Sequence, residues 1–311
     1  MLSMRLPEIR LGLDSDAEGF IALIGACWSE YPGVVLDVDR ELPELRALAS
    51  YYEAKGGVLW VAADESARVV GMIATAPHGE DEKETWEILR LYVARAYRGT
   101  GLAHRLVDLA EAHARAAGAR RLRLWSDTRF RPAHRFYEKR SYVRTGPLRP
   151  LDDLSFTLEF GFAKPLAGIS AEALAPAAAA SAGRVLAALS PVSHGAAAHW
   201  RNLAADIAAG TRALVVAWDE GVIAASLELA LSRSGLPRLE HCLLAPGRSA
   251  AEIVPVLLAA TDLAARRLAL SLLTAQAEEG TALASFLPEA GWRLAGRLPG
   301  SALFFRSLEL E

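Results

Sequence analysis

Cysteine is almost absent from this chain of 311 residues: Cys27 and Cys242 are the two it has. They cannot build a disulfide framework and form no C-x-x-C pair, which excludes a disulfide scaffold and a structural zinc module and points to a reducing compartment. Long apolar runs are missing too. The least charged stretch, Ala173 to Gly183, is alanine-rich, contains Pro176 and lies between Glu172 and Arg184, too short and too weakly hydrophobic for the roughly 20 apolar residues of a membrane span. Met1 to Asp14 has no apolar core between a basic start and a small-residue cleavage site, so a leaderless, cytoplasmic protein without membrane contact is expected. What is present is a hydrophobic share of 52%, ample for packed cores, and a length that suggests about two domains.

Net charge, −3, hides an uneven distribution. Residues 1–89 carry 7 Lys/Arg against 17 Asp/Glu, whereas residues 90–149 carry 15 against 4. A basic block after an acidic one suits a small polyanionic ligand at one end of a site and a cationic one at the other. No nucleic-acid-binding motif accompanies the arginines, and the overall balance is acidic, so nucleic acid is not expected as a partner.

Periodicity gives the order of elements. Leu6–Leu13 reads as a strand, Ala17–Trp28 as a helix capped near Asp14–Asp16, and Glu41–Lys55 as a second helix ended by Gly56-Gly57. Val58–Ala63 and Val69–Ala76 form a hairpin about Asp64-Glu65-Ser66, followed by a strand at Glu84–Val93. A helix over Gly99–Ala117, a strand at Arg120–Trp125, a short helix at Arg131–Lys139 and closing strands at Tyr142–Gly146 and Phe156–Phe160 complete an α/β layering on a mixed sheet. Lys164–Gly183 turns to Ala, Pro, Ser and Gly, the composition of a connector or a poorly specified helix. Then the pattern recurs: a hairpin of Thr211–Ala217 and Val222–Leu231, a strand at Leu239–Leu244, a helix at Ala250–Arg267, and later elements to Leu308. Phe136–Tyr142 and Phe286–Trp292 echo one another, as do Val93-Ala94-Arg95 and Leu244-Ala245-Pro246. Two copies of one fold are expected, with residues 1–163 as the first domain, 164–183 as the connector and 184–311 as the second.

The sharpest local signal is Arg98-Gly99-Thr100-Gly101-Leu102-Ala103, which follows the strand ending at Val93 and opens a helix. Glycines at a helix start permit a tight turn with free N–H groups at the positive end of the helix dipole, a phosphate-binding arrangement, to which Arg98 adds a charged donor. No Gly-Lys-Ser/Thr follows, and no acidic residue ends a second strand about 20 residues on, so neither a P-loop nor the dinucleotide fingerprint is present.

Taken with Leu89–Val93 before the turn, Leu122–Trp125 after it, and then Ala133-x-x-Phe136-Tyr137-x-x-x-Ser141-Tyr142, the chain resembles the GNAT superfamily of acetyl-CoA-dependent N-acetyltransferases over about residues 4–162. Arg98, Gly101 and Ala103 match its Gln/Arg-x-x-Gly-x-Gly/Ala motif; Ser141 stands where Gly is usual, and Phe130 where an Asn often lies. The resemblance implies two tandem GNAT-like domains, each a mixed, mostly antiparallel splayed sheet flanked by helices. It implies that acetyl-CoA is the cosubstrate and that no metal takes part. Its pyrophosphate would lie on the N–H groups of Arg98, Gly99, Thr100, Gly101, Leu102 and Ala103, its pantetheine along the backbone of Leu91, Tyr92 and Val93, and its 3′-phosphate near Arg129, Arg131 and Arg135. Tyr137 takes the position of the general acid that protonates the leaving thiolate, a phenol and a thiolate being comparably basic. Glu87 takes that of the base, acting directly or through water. Asp127 or Thr128 stands in for the missing Asn contact. Glu30, Tyr31, Tyr51, Tyr52 and Glu80-Asp81-Glu82 are secondary candidates for holding a cationic acceptor.

The second copy reads as degenerate. Aligned without a gap, Gly101 meets Glu252; with a one-residue gap it meets Ala251, and either way the glycines are lost and a carboxylate enters the phosphate position. Tyr137 is matched by Leu287. This copy then packs on the first, shapes its acceptor cleft, or mediates assembly, a homodimer being one form. His194, His199 and His241 have no metal-ligand spacing and read as core or surface histidines. Cys27 has no basic partner in view, so acetyl transfer is expected to go directly to a primary amine of a small molecule, without an acyl-enzyme. The alternatives are a catalytically silent acyl-CoA sensor and a protein acetyltransferase.

Overall fold

The computed structural model describes residues 6–79, 82, 84–189, 195–231 and 236–308; Glu80, Asp81 and His194 of the candidates above lie outside them. The chain forms two units, Met1–His134 with Gly146–Leu166, and Arg135–Thr145 with Ala167–Glu311.

The first unit runs β1 (Glu8–Leu11), α1 (Ala17–Trp28), α2 (Val38–Glu41), α3 (Leu48–Glu53), β2 (Val58–Ala63), β3 (Val69–Pro77), β4 (Thr85–Val93), α4 (Leu102–Ala116), β5 (Arg121–Asp127), α5 (Arg131–Lys139), β6 (Val143–Pro150) and β7 (Leu158–Pro165), α5 and β6 crossing between the units. The single helix expected over Glu41–Lys55 is divided into α2, a 3₁₀ turn at Pro43–Ala47, and α3. Pro43 lacks the N–H that a continuous helix requires there. The sheet order is β1-β2-β3-β4-β5-β7-β6. Phe20, Leu23 and Ile24 of α1 pack with Leu45, Leu48, Tyr52, Leu59, Val61 and Met72 on one face, and the buried stripe Leu102, Leu106, Val107 and Ala110 of α4 covers the other.

β4 and β5 run parallel but pair only over Thr85–Glu87 and Arg121–Arg123. Beyond Glu87 they part, opening the sheet. On its other side β4 carries a bulge: Met72 pairs with Tyr92 and Ala74 with Leu89, the extra residue, Arg90, being in the left-handed region at φ 53°.

The second unit continues with β8 (Ile169–Ala173), α6 (Pro176–Leu189), α7 (Gly195–Ala208), β9 (Arg212–Asp219), β10 (Val222–Ala230), β11 (Arg238–Leu244), α8 (Ala250–Arg267), β12 (Leu272–Glu278), α9 (Ala282–Glu289), β13 (Arg293–Leu298) and β14 (Ser301–Ser307). Its sheet order, β13-β14-β12-β11-β10-β9-β8, repeats the first sheet's connectivity strand for strand. The stretch expected as a connector, 164–183, forms the end of β7, all of β8 and the first half of α6. Its alanines are small core residues: Ala178, Ala179 and Ala182 are buried with Trp200, Leu203 and Trp218, so low hydropathy there reflects tight packing and not a loose tether. The splay and the bulge recur as well. β11 pairs with β12 only at Arg238 and Leu239, and His241, at φ 47°, is the extra residue between the pairs Ser226–Leu243 and Glu228–Glu240.

Residues 135–145 are held in the second unit by named contacts. Glu138, 1% exposed, accepts from Arg184 Nε and Nη2 at 2.6 Å each and from Ser181 Oγ at 3.1 Å. The Ser141 carbonyl accepts from Trp218 Nε1, and its hydroxyl oxygen accepts from the Ile223 N–H, both at 3.0 Å. Ser141 sits at φ 67°, the conformation glycine would favour. The departure from the family pattern supplies a buried acceptor that glycine lacks.

Candidate active site

Between Val93 and α4 the chain makes a 3₁₀ turn at Arg95–Tyr97 and then the tight turn ending at the helix cap, Gly101. Gly99 and Gly101 take φ 78° and 90°, and a Cβ at either position would meet nothing within 4 Å. The requirement for glycine is therefore conformational, and the surface over the turn is open. Among the described residues none of the N–H groups from Gly99 to Ala103 has an acceptor; the first helical bond is Arg105 N–H to Gly101 O at 3.1 Å. The first turn of α4 holds no acidic residue. Open donors at the positive end of a 15-residue helix are an arrangement that favours negative charge.

Arg98 departs from its expected role. Its Nη1 and Nη2 donate to Glu30 at 2.7 and 2.8 Å, and its Nε to Val93 O at 3.0 Å. It clamps the turn to the end of α1 and β4, with its charge balanced by Glu30, whose carboxyl is held down chiefly by that bond. Cys27, expected without a basic neighbour, has one: Arg98 Nη2 lies 3.6 Å from its Sγ. Burial nevertheless dominates and pushes the thiol up, away from the thiolate form a nucleophile uses.

Of the pantetheine-binding strand residues, Leu91 to Val93 lie where β4 has left β5, as expected, but the Val93 carbonyl is already taken by Arg98. The Tyr92 hydroxyl accepts from Trp28 Nε1 at 3.0 Å. Arg129 is likewise committed: it grips Asp127 with Nη2–Oδ2 at 2.6 Å and reaches Gly33 O and Thr157 Oγ1. It braces the end of β5, while Arg131 is exposed. Phe130, in the family's Asn position, packs on Tyr31 with ring centroids 4.6 Å apart.

Glu87 lies on β4 where the strands part, and the structure adds a partner that sequence reading missed. His78 Nδ1 is 3.2 Å from Glu87 Oε2, and His78 Nε2 is 2.7 Å from Arg123 Nη1. A guanidinium only donates, so Nε2 accepts and the Nδ1–H is directed at Glu87. Around it stand Arg149, stacked over Trp125 at 4.1 Å, and Glu159, which accepts from Arg149 Nε at 3.0 Å. Burial raises the Glu159 carboxyl against the pull of Arg149. Trp125 Nε1 is a buried donor without a partner. No spacing rule links His78, Arg123 and Glu159, which lie on different strands or beyond them.

Tyr137 belongs to the second unit, 6% exposed, packed edge-on to Phe136 and Tyr142 at 5.5 and 5.9 Å. Of the secondary candidates, Tyr52 is buried and pushed up to about 12 by desolvation, while Tyr51 is exposed beside Lys55.

At the start of α8 the helix caps correct the expected alignment. Gly101 corresponds to the cap residue Ser249, which sets Gly99 against Gly247, at φ 75°, and His104 against Glu252. One of the two glycines is therefore retained. The first-turn carboxylate, Glu252, therefore lies three positions beyond the cap, opposite His104 and not opposite Gly101.

Residues 22–142 match the Acetyltransferase (GNAT) family. "Probable N-acetyltransferase 14" of Xenopus tropicalis is 29% identical over 104 residues, 33% of this chain and 50% of that protein; the chain thus spans about half the length of that curated relative. Among solved structures, a GNAT-family acetyltransferase from Staphylococcus aureus Mu50 is 18% identical with TM-score 0.44, over 51% of this chain and 98% of that one. The ribosomal-protein-alanine N-acetyltransferase of Brucella melitensis is 20% identical with TM-score 0.40, over 51% and 99%. No helix among the described residues is long and apolar enough to cross a membrane.

Proposed function

We propose, from the match of residues 22–142 to the Acetyltransferase (GNAT) family, that the protein transfers an acetyl group from acetyl-CoA to a primary amine of a small molecule. The observation that carries the reading is the turn before α4: unpartnered N–H groups from Gly99 to Ala103 with no acid in the first turn, a ready seat for a pyrophosphate. Arg98 acts there by holding the turn, through Glu30 and Val93.

The reaction requires that the amine nitrogen be neutral as its lone pair attacks the thioester carbon. Glu87, oriented by His78, itself held by Arg123, accepts the proton that the amine gives up, directly or through a water. The new C–N bond forms as C–S breaks, and the thiolate takes a proton from the Tyr137 hydroxyl. The orphaned Trp125 N–H, beside Glu87 and Glu159 whose charges are matched by Arg123 and Arg149, suits an acceptor molecule that carries a hydrogen-bond acceptor.

Titration calorimetry with acetyl-CoA, followed by turnover across a panel of primary amines, tests the reading; absence of both binding and turnover overturns it. Binding without turnover favours the acyl-CoA sensor instead. Tyr137→Phe is expected to cut turnover at least about tenfold while leaving acetyl-CoA affinity near the parent's. Glu87→Gln is expected to slow turnover most at neutral pH, with the deficit shrinking as alkali supplies free amine.

A further inference from the structure

The bulge on the central strand of each sheet directs one side chain onto the face covered by the helices that precede the hairpin. In the first unit that residue is Arg90. Its guanidinium donates to Glu44 at 2.6 Å and bonds the Tyr52 hydroxyl, so a built-in cation satisfies the acidic group beside it. In the second unit the same position holds His241, whose neighbours are Glu228 from β10 and His199 from α7. His199 Nε2 is 2.5 Å from Glu228 Oε1, and the two imidazoles are tilted at 50° with centroids 4.9 Å apart. One donor atom from each of the three residues lies within 4.8 Å of the other two.

We propose that His199, Glu228 and His241 bind a divalent transition-metal ion of the zinc class, revising the reading of these histidines as unrelated. The set is chemically apt: two imidazole nitrogens and one carboxylate oxygen, borderline-soft donors in the number that leaves a tetrahedral ion one position for water. Glu228 is 0% exposed, and its second oxygen is fixed by Arg212 Nη1 at 3.0 Å, which aims Oε1 at the two histidines as an outer-shell partner does. Arg212 and Arg238 are matched by Glu228 and Glu240, and Asp206 lies 3.9 Å from Arg212. Among the described residues no excess positive charge opposes the ion. Its ligands would stand about 3.3 Å apart in tetrahedral geometry, so His199 and Glu228 open slightly and His241 moves inward.

A simple His199–Glu228 hydrogen bond accounts for that pair but leaves His241. Among the described residues its exposed ring has no hydrogen-bond partner, although it lies tilted against another imidazole. A shared cation explains why two like rings converge on one carboxylate.

The test uses the full, untagged chain stripped with EDTA. Calorimetry with ZnCl₂ alone is expected to show one equivalent bound with micromolar affinity or better, and Co²⁺ is expected to give the visible absorption of a tetrahedral nitrogen–oxygen site. His241→Ala, which removes an exposed ring and no hydrogen bond, is expected to weaken Zn²⁺ binding at least about tenfold and to erase the Co²⁺ band without altering the circular dichroism spectrum. His199→Ala is expected to do the same, and serves as the second variant should either fold poorly. Zn²⁺ binding unchanged in His241→Ala, or no binding by the parent chain, overturns the site, whatever the outcome of the acetyl-CoA experiments.

Discussion

The two sheets repeat the same strand order, splay and bulge, yet the helices that follow their central strands begin differently. α4 starts at a glycine cap with no acid in its first turn; α8 starts at Ser249 with Glu252 in its first turn and Arg248 paired to Asp219 at 2.5 Å. A carboxylate near a helix start stabilises it by roughly 0.3–1 kcal/mol. The first copy forgoes that stabilisation and keeps its N–H groups open, whereas the second has an acid of its own at the positive end of the dipole. At the bulge the relation is reversed: Arg90 closes the first unit's site with an internal cation, and His241 leaves the second unit's site to a cation from outside. Each copy has internalised one charge and left the other for a ligand.

Exchanging these features sharpens the contrast. Gly101→Glu brings a carboxylate to the anion seat and forces a side chain to φ 90°, so acetyl-CoA binding is expected to fall by roughly 100-fold or more with a lower Tm. His104→Glu, the counterpart of Glu252, separates the two effects: acetyl-CoA affinity drops about tenfold while helix stability holds or rises by a few tenths of a kcal/mol. Affinity retained in both variants would break the assignment of the turn. Ser141→Ala is expected to cost about 1–3 kcal/mol in urea unfolding, because the Ile223 N–H loses its buried acceptor while the strained backbone stays. Ser141→Gly relieves the strain and should cost less. The smallest effect concerns the two thiols. Burial pushes Cys242 up to about 11 and also raises Cys27, so the thiolate fraction at neutral pH is minute and grows only as pH climbs. A thiolate-specific reagent should therefore label the native protein slowly and the urea-unfolded chain fast.

Local chemistry was readable where it depends on neighbours in the chain. Gly99 and Gly101 declared a tight turn because φ preferences are intrinsic to the residue, and the hairpins at Asp64–Ser66 and Asp219–Gly221 declared themselves by turn composition. The alanine-rich stretch around Pro176 was not readable as core, because small residues become core only when tryptophans such as Trp200 and Trp218 arrive from elsewhere. Arg98 and Arg129 looked like phosphate ligands until the fold supplied Glu30 and Asp127 as partners. An arginine's sequence position says nothing of which carboxylate reaches it first.

The order of residues alone determined that the chain holds two α/β copies and that only the first presents a glycine turn to a helix without an opposing acid, since turn conformation and helix polarity are properties of contiguous backbone. Tertiary structure decided what no spacing encodes: that His78 stands between Glu87 and Arg123, that Ser141 caps the Ile223 amide, and that His199 and His241, on a helix and on a distant strand, meet over one buried carboxylate. Those groupings exist because side chains far apart along the chain share a face once the sheets form.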